Sequence, residues 1–251
     1  MNILITNDDG FQSKGIMELV NIARPFGKIL VVAPDSGRSA QSSALTVTKP
    51  LMYYEFKNEP DIRILATTGT PADCVKLAFS GQIEGNFIPD LVLSGINHGS
   101  NSAINIIYSG TLGAAFEGAL AKRPSIGFSL CSYNQNEDFS FVRDYFSKII
   151  KNVVENGLPD GVTLNVNAPV GKINGMKVTR QARGTWQNEF MRVPTPYGID
   201  AYWLAGQMEN EEPNATDTDE WAIKNNFISI LPAKLDMTDY ESLRNLKGLE
   251  N

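Results

Sequence analysis

Short aliphatic runs recur along the chain, and between them lie stretches whose apolar residues fall at helical spacing. "NILIT" at 2–6 reads as a buried strand, followed by "GIMELVNIA" at 15–23, where Ile16, Leu19, Val20 and Ala23 share one helical face. "KILVVAP" at 28–34 and "IRILATTG" at 62–69 are further strands. "ADCVKLAF" at 72–79 reads as a helix, with Pro71 at its first position. "DLVLSG" at 90–95 and "SIGFSL" at 125–130 are strands on either side of the helix "LGAAFEGALA" at 112–121. A long amphipathic helix follows in "DFSFVRDYFSKIIKNVVENG", stopped by Gly157. Strands that alternate with helices predict an α/β fold, a parallel sheet with helices on both faces.

After residue 160 the pattern changes. "VTLNVNAP", "MKVTRQAR" and "FISILP" read as strands, and Pro194, Pro196 and Gly198 mark a turn. "IDAYWLAG" at 199–206 has the aromatic and aliphatic content of an arm or hairpin, with Tyr197 before it and Tyr202, Trp203 and Leu204 within it. The acidic "MENEEPNATDTDE" at 208–220 predicts an exposed loop. The expected organisation is one domain over 1–251, with a core to about residue 160 and C-terminal strands plus an arm over about 161–251.

The chain has 251 residues and a formal net charge of −6, which excludes a broad electrostatic footprint for nucleic acid. An anionic ligand would need a local device such as a metal ion or backbone amides. No window reaches the roughly 18 apolar residues that span a bilayer. No secretory leader is expected at the N-terminus, so the predicted location is cytoplasmic. Cys74 and Cys131 read as small buried thiols, with a disulfide or a nucleophile as the alternatives. The single histidine, His98, excludes any site built on several imidazoles.

Ligands of parallel α/β sheets bind at the carboxyl ends of the strands, and four of those ends carry polar clusters. They are Asn7-Asp8-Asp9-Gly10, "APDSGRSAQSSALT" at 33–46, "TTGTPADC" at 67–74 and "SGINHGSNSAINIIYSGTLGAAFEGAL" at 94–120. Asp8 and Asp9 stand side by side at the tip of a buried strand, where each disfavours ionisation of the other. A divalent cation would cancel that repulsion, and oxygen ligands suit Mg²⁺ or Mn²⁺. Ser39 and Asn97, each expected at a neighbouring strand end, could complete the sphere. The competing reading is an Asx-turn pair that caps the following helix. Ser109, Gly110 and Thr111 stand where a helix starts, either as an anion cradle or as an ordinary N-cap. A metal beside an anion cradle is suited to phosphomonoester hydrolysis, with a metal-activated water as the attacking group.

Five ordered segments, "ILITNDDG", "VVAPDSGRSA", "GTPADCV", "LVLSGINHGSN" and "YSGTLGAAFEG", closely resemble the SurE (survival protein E) family of 5′-nucleotidases. The similarity continues through "LNVNAP", "VTRQARGTW" and "FISILPAKLDMT". The resemblance implies a Rossmann-like core with a C-terminal hairpin arm exchanged between subunits, giving a homodimer or homotetramer. It implies one divalent metal ion per subunit, held by Asp8, Asp9, Ser39 and Asn97. Phosphate contacts map onto Asn101, Ser109, Gly110 and Thr111. The implied substrates are nucleoside 5′-monophosphates, with 3′-monophosphates and short polyphosphates in some members. The chain departs from the family pattern at Ser36-Gly37-Arg38 and in "SAINIIYSG" after Asn101; neither change removes a ligand position.

Asp8 or Asp9 is the candidate general base. His98 either meets the phosphate or only lines the loop, and Arg38 is either a substrate contact or a surface residue. Three other readings compete. A dehalogenase-like phosphatase needs Asp-x-Asp, and the aspartates here are adjacent. A nucleotide or metal sensor would bind without releasing phosphate, and no Gly-x-Gly-x-x-Gly opens the first helix. A scaffold with a vestigial site is weakened because all four proposed ligands are present.

Overall fold

A computed structural model describes residues 1–250. The order of elements begins β1 (Asn2–Thr6), α1 (Lys14–Ala23), β2 (Lys28–Pro34), β3 (Tyr53–Glu59), β4 (Ile62–Thr67) and α2 (Pro71–Phe79). It continues with β5 (Leu91–His98), α3 (Gly110–Leu120), β6 (Ser125–Leu130), α4 (Arg143–Asn156) and β7 (Val162–Ala168). Then come β8 (Gly175–Val178), β9 (Gly184–Gln187), β10 (Phe190–Val193), β11 (Ala201–Leu204) and β12 (Gln207–Asn210). The chain closes with α5 (Asp219–Lys224), β13 (Phe227–Lys234) and α6 (Tyr240–Asn245).

Nine strands form one mixed, mostly parallel sheet in the order β3-β4-β2-β1-β5-β6-β7-β13-β8. Only β3 against β4 and β13 against β7 run antiparallel. The chain leaves β1 toward β2 on one side and later returns to β5 on the other, so the order reverses between β1 and β5. A crevice opens at such a reversal, outside the carboxyl ends of the strands.

Side chains alternate across the sheet because the strand period is two. Ile3 and Ile5 pack under α1 and α4 with Leu19, Phe146 and Ile150. Leu4 points to the other face, with Leu30, Val32 and Leu65 under α2 and Ala114 of α3. Both faces are apolar, so β1, β2 and β5 read as continuous hydrophobic runs.

The edge strand β3 has no sequence signature because it is exposed along nearly its whole length, so no burial alternation marks it. The exposed acidic loop expected over 208–220 is confined to 211–217, and both ends of the segment are structured. Gln207–Asn210 pairs with β9, and Thr218 and Asp219 are fully buried. Thr218 caps α5 by accepting the Trp221 amide at 3.2 Å. No helix among the described residues is long and apolar enough to cross a membrane.

Helix α1 sits unusually close to β5. A Cβ on Gly15 would lie 2.0 Å from the carbonyl oxygen of Ile96, the residue before Asn97. Gly15→Ala should therefore destabilise the fold by about 1–3 kcal/mol, with no change in slope in urea unfolding. Unchanged stability would show that this packing is looser than the structure has it.

Candidate active site

The turn after β1 is built by Asn7. Its amide Nδ2 donates to the Gly10 carbonyl at 2.9 Å and to Ser13 Oγ at 2.8 Å, and Ser13 in turn caps α1. The Phe11 amide donates to the Pro34 carbonyl at 2.9 Å, tying the turn to the end of β2. Ser13, and neither aspartate, caps α1, so both aspartate side chains stay out of the helix cap.

Each aspartate is tied to the chain beside another predicted ligand. The Asp8 carbonyl accepts the Arg38 amide at 2.7 Å, which brings the next residue, Ser39, to the turn. Asp9 Oδ2 accepts the His98 amide at 3.0 Å, which fixes the neighbour of Asn97. Asn97 Nδ2 donates to the Gly99 carbonyl at 2.9 Å, leaving its Oδ1 as the end that can coordinate a cation. Asp8 Oδ1 accepts the Thr111 hydroxyl at 2.7 Å. Helix α3 meets Asp8 at Gly110, where a Cβ would lie 2.9 Å from the Asp8 Cβ.

The electrostatics are uncompensated. Burial pushes the Asp8 carboxyl from 3.8 up to about 6, and the Asp9 charge adds to the rise against the Thr111 hydroxyl, which opposes it. Burial raises Asp9 as well, against the stabilising His98 amide. No ion pair reaches either group among the described residues. Arg38 is spent elsewhere: its guanidinium pairs with Asp35 at 3.0 Å. No three His, Cys, Asp or Glu side chains converge to hold a metal among the described residues, so any cation here relies on two carboxylates and neutral oxygens. That all-oxygen, doubly anionic donor set suits a hard divalent ion.

The long cluster after β5 is held by a ladder of buried amides. The Asn101 amide donates to Asn167 Oδ1 at 2.8 Å, and Asn101 Nδ2 donates to Ser129 Oγ at 2.9 Å. Asn165 Nδ2 donates to the Asn101 carbonyl at 2.8 Å, and Asn167 Nδ2 to Asn165 Oδ1 at 2.9 Å. Asn101 is therefore rigidly placed. Ser109 caps α3 by accepting the Leu112 amide at 3.2 Å, and the Thr111 hydroxyl is used on Asp8. What remain for an anion are the N–H groups of Ser109 and Gly110, neither of which has an acceptor among the described residues, while the Thr111 amide favours the Asp8 charge. His98 is buried with its ring edge-on to Phe139, and neither nitrogen has a partner among the described residues.

Two supports escaped the sequence reading. Asp219 accepts the Ala103 amide at 2.8 Å and the Ala182 amide at 2.9 Å, and Glu220 accepts the Ser102 hydroxyl. Nothing in an acidic run marks Asp219 as buried or Glu220 as half-buried. Asn165 and Asn167 did carry a signal, since two asparagines two apart on an apolar strand share a face. Cys74 and Cys131 are unpaired, and burial pushes both thiols up, so neither is a nucleophile.

Two cavities flank the start of α3. One of about 480 Å³ is lined by Ala40, Asn105, Tyr108, Trp186 and Glu189 with the base of the β10–β11 hairpin. The other, of about 430 Å³, lies between Ile106, Phe116, Arg180, Leu231 and Met237.

The family profile described as "Survival protein SurE" matches residues 3–188. The chain belongs to the SurE family. It is 45% identical over 247 residues to a protein of Bacteroides thetaiotaomicron named 5′-nucleotidase SurE, covering 98% of this chain and 95% of that one. A protein of the same name from Caldanaerobacter subterraneus is 41% identical over 252 residues, covering 98% and 96%. The crystal structure of the SurE protein from Aquifex aeolicus superimposes with a TM-score of 0.85 at 38% identity, covering 100% of both chains. The site of this SurE chain thus sits on a fold shared from end to end with that solved structure.

The raised Asp8 carboxyl has a measurable sign. Because its folded value of about 6 exceeds the ordinary 3.8, the stability this group contributes is full below 3.8 and is lost as pH rises through about 6. The loss corresponds to about 3 kcal/mol. Asp8→Asn should stabilise the metal-free protein by up to that amount above pH 6 and by little near pH 3.8. Urea unfolding in chelator across this range tests it; equal stabilities of the two proteins above pH 6 would contradict it.

Proposed function

We propose that this SurE-family enzyme is a divalent-metal-dependent phosphomonoesterase acting on nucleoside 5′-monophosphates, with 3′-monophosphates and short polyphosphate as further substrates. The observation that carries the reading is the adjacent carboxylates of buried Asp8 and half-buried Asp9 at the β1–β5 reversal, paired with no Lys or Arg among the described residues, beside the unpartnered Gly110 amide. The names of the relatives support the choice of nucleotide.

Asp8, Asp9, Ser39 and Asn97 would hold one Mg²⁺ or Mn²⁺. When bound, the cation supplies Lewis-acid polarisation of a phosphoryl oxygen and makes water more acidic. The residues do the rest. The Gly110 N–H, at the positive end of α3, takes a phosphate oxygen. The fixed Asn101 and the Ser109–Thr111 turn border that oxygen's site. Each aspartate has one oxygen engaged, Asp8 Oδ1 by the Thr111 hydroxyl and Asp9 Oδ2 by the His98 amide, so Asp8 and Asp9 are equal candidates, through the other oxygen, to accept the proton of the water that attacks phosphorus.

The β10–β11 hairpin supports subunit exchange. Phe190, Met191, Tyr202, Trp203 and Leu204 are all exposed on it, an apolar surface that a second copy would cover. Two unpaired cysteines suit a reducing compartment, in keeping with the cytoplasm.

Phosphate release from nucleoside 5′- and 3′-monophosphates, with Mg²⁺, Mn²⁺ or excess chelator, tests the chemistry. Asp8→Asn and Asp9→Asn should each lose about 100-fold or more in kcat while remaining folded. Near-wild-type turnover in both would sink the reading. Asn97→Ala should weaken metal affinity in calorimetry by roughly 10–100-fold, the range seen when a metal site loses support. For the arm, Tyr202→Asp combined with Trp203→Asp should shift the protein to a smaller species in sedimentation; an unchanged species would place the subunit contact elsewhere.

A further inference from the structure

Of the four polar strand ends, "TTGTPADC" at 67–74 supplies no residue to the proposed metal or phosphate contacts. Its polar groups are turned on the loop that carries Ser39. Residues 35–52 join β2 to β3 without any helix or strand, and structureless loops of that length in compact domains usually serve function. No residue from Ser36 to Pro50 is buried, so apolar packing within the chain does not hold this loop. Just after Ser39, Ala40 (φ 58°) and Ser42 (φ 50°) adopt the left-handed conformation that a Cβ disfavours. An exposed, strained loop keeps one shape only where other groups impose it.

Hydrogen bonds impose the shape at three places. The Arg38 amide donates to the Asp8 carbonyl at 2.7 Å. In the middle, the Ser42 amide donates to the Tyr108 carbonyl at 3.0 Å and Ser42 Oγ to the Ile107 carbonyl at 2.7 Å. On the far side the partners come from the start of α2. The Thr46 amide donates to Asp73 Oδ1 at 3.1 Å and Oδ2 at 3.2 Å, and the Thr70 hydroxyl donates to the Ala44 carbonyl at 2.6 Å.

Thr70 and Asp73 are also the capping box of α2. The Asp73 amide donates to Thr70 Oγ1 at 3.1 Å, and the Thr70 amide donates to Asp73 Oδ2 at 2.9 Å. The box uses one carboxylate oxygen and the hydroxyl lone pair; the other oxygen and the hydroxyl proton go to the loop. Gly69 makes room for this, since a Cβ there would lie 2.8 Å from the Asp73 Cβ. Burial works against the Asp73 charge, and hydrogen bonds from Thr46 and Thr70 outweigh it, so the carboxyl lies below the ordinary 3.8. A buried, ionised acceptor of this kind grips an amide more firmly than a neutral one.

We propose that Asp73, together with Thr70, is a positioning residue for the metal site: from the start of α2 it holds the far side of the 38–46 loop and so keeps Ser39 beside Asp8 and Asp9. The inference rests on the metal-dependent reading of the site, in which Ser39 is a ligand. It gives the third polar strand end a role without making it a ligand itself.

Amide hydrogen exchange and Mn²⁺ titration calorimetry on the same proteins test it. Exchange is read by mass spectrometry on peptides covering 39–44, none of whose amides Asp73 touches. Asp73→Ala should speed that exchange by about tenfold, the size of one lost hydrogen bond to a charged group. It should also weaken Mn²⁺ affinity by about tenfold, as when a metal ligand loses its outer support. Asp73→Asn keeps an oxygen for the Thr46 amide and should restore most of both. Ala78→Gly weakens α2 without touching the box and should leave Mn²⁺ affinity at the wild-type value. Thr70→Val removes the donor to Ala44 at nearly constant volume and should act as Asp73→Ala does, which guards against an alanine variant that fails to fold. Wild-type Mn²⁺ affinity in Asp73→Ala and Thr70→Val would overturn the positioning role, and so would an equal loss in Ala78→Gly. If the wild-type protein binds no Mn²⁺, the metal reading fails by itself. The hold on the loop then stands if Asp73→Ala speeds exchange over 39–44, and falls if exchange there is unchanged.

Discussion

Two adjacent carboxylates at the end of a buried strand are the constraint around which this fold is arranged. Asp8 is nearly buried, Asp9 is its neighbour, and the protein brings no ammonium or guanidinium to either. Burying such charge without a partner is costly. The protein stores that cost instead of relieving it with an arginine, although Arg38 lies two residues before Ala40 in the same loop. Burial, with the Asp9 charge beside it, raises the Asp8 carboxyl to about 6, which is the strain that the proposed cation would relieve.

Close backbone packing holds the constraint in place. Gly15 lets α1 lie against Ile96, Gly110 sets the start of α3 on Asp8, and a Cβ on Gly113 would lie 2.2 Å from the Ser42 carbonyl oxygen. These contacts fix the three segments that carry the predicted ligands relative to one another without using polar side chains, which stay available for chemistry. Farther out, the asparagine ladder from Asn167 through Asn165 and Asn101 to Ser129 does the same for the loop after β5. Every member is buried and bonded, so the network rigidifies the loop.

The C-terminal portion serves the site as well as the surface. Asp219 bridges the Ala103 and Ala182 amides, so α5 clamps the loop after β5 to the strand system that carries Trp186. Burial raises the Asp219 carboxyl, against three amides that favour its charge. Trp186 then reaches back to Asn105 across 81 positions. One side of the hairpin base shapes a cavity at the site while the hairpin itself presents apolar surface outward.

Much of this was legible along the chain, because strand and helix periods, strand-end polar clusters and the adjacent aspartates are local signals. The sheet strands β1, β2, β4, β5 and β6 follow from hydrophobic runs that must be buried, and the acidic pair Asp8-Asp9 at a strand end is marked by charges that need compensation. The family resemblance added Asn101, whose own residue type says nothing of phosphate. Other features depended on contacts distant in sequence. Thr111 serves Asp8 with its side chain, Arg38 turns to Asp35, and an acidic stretch becomes a buried clamp at Asp219. The exposed edge strand β3 is defined by its pairing with β4. A sequence determines which groups must be buried or compensated; which partner each one meets is decided only when the folded chain brings distant segments within hydrogen-bond reach.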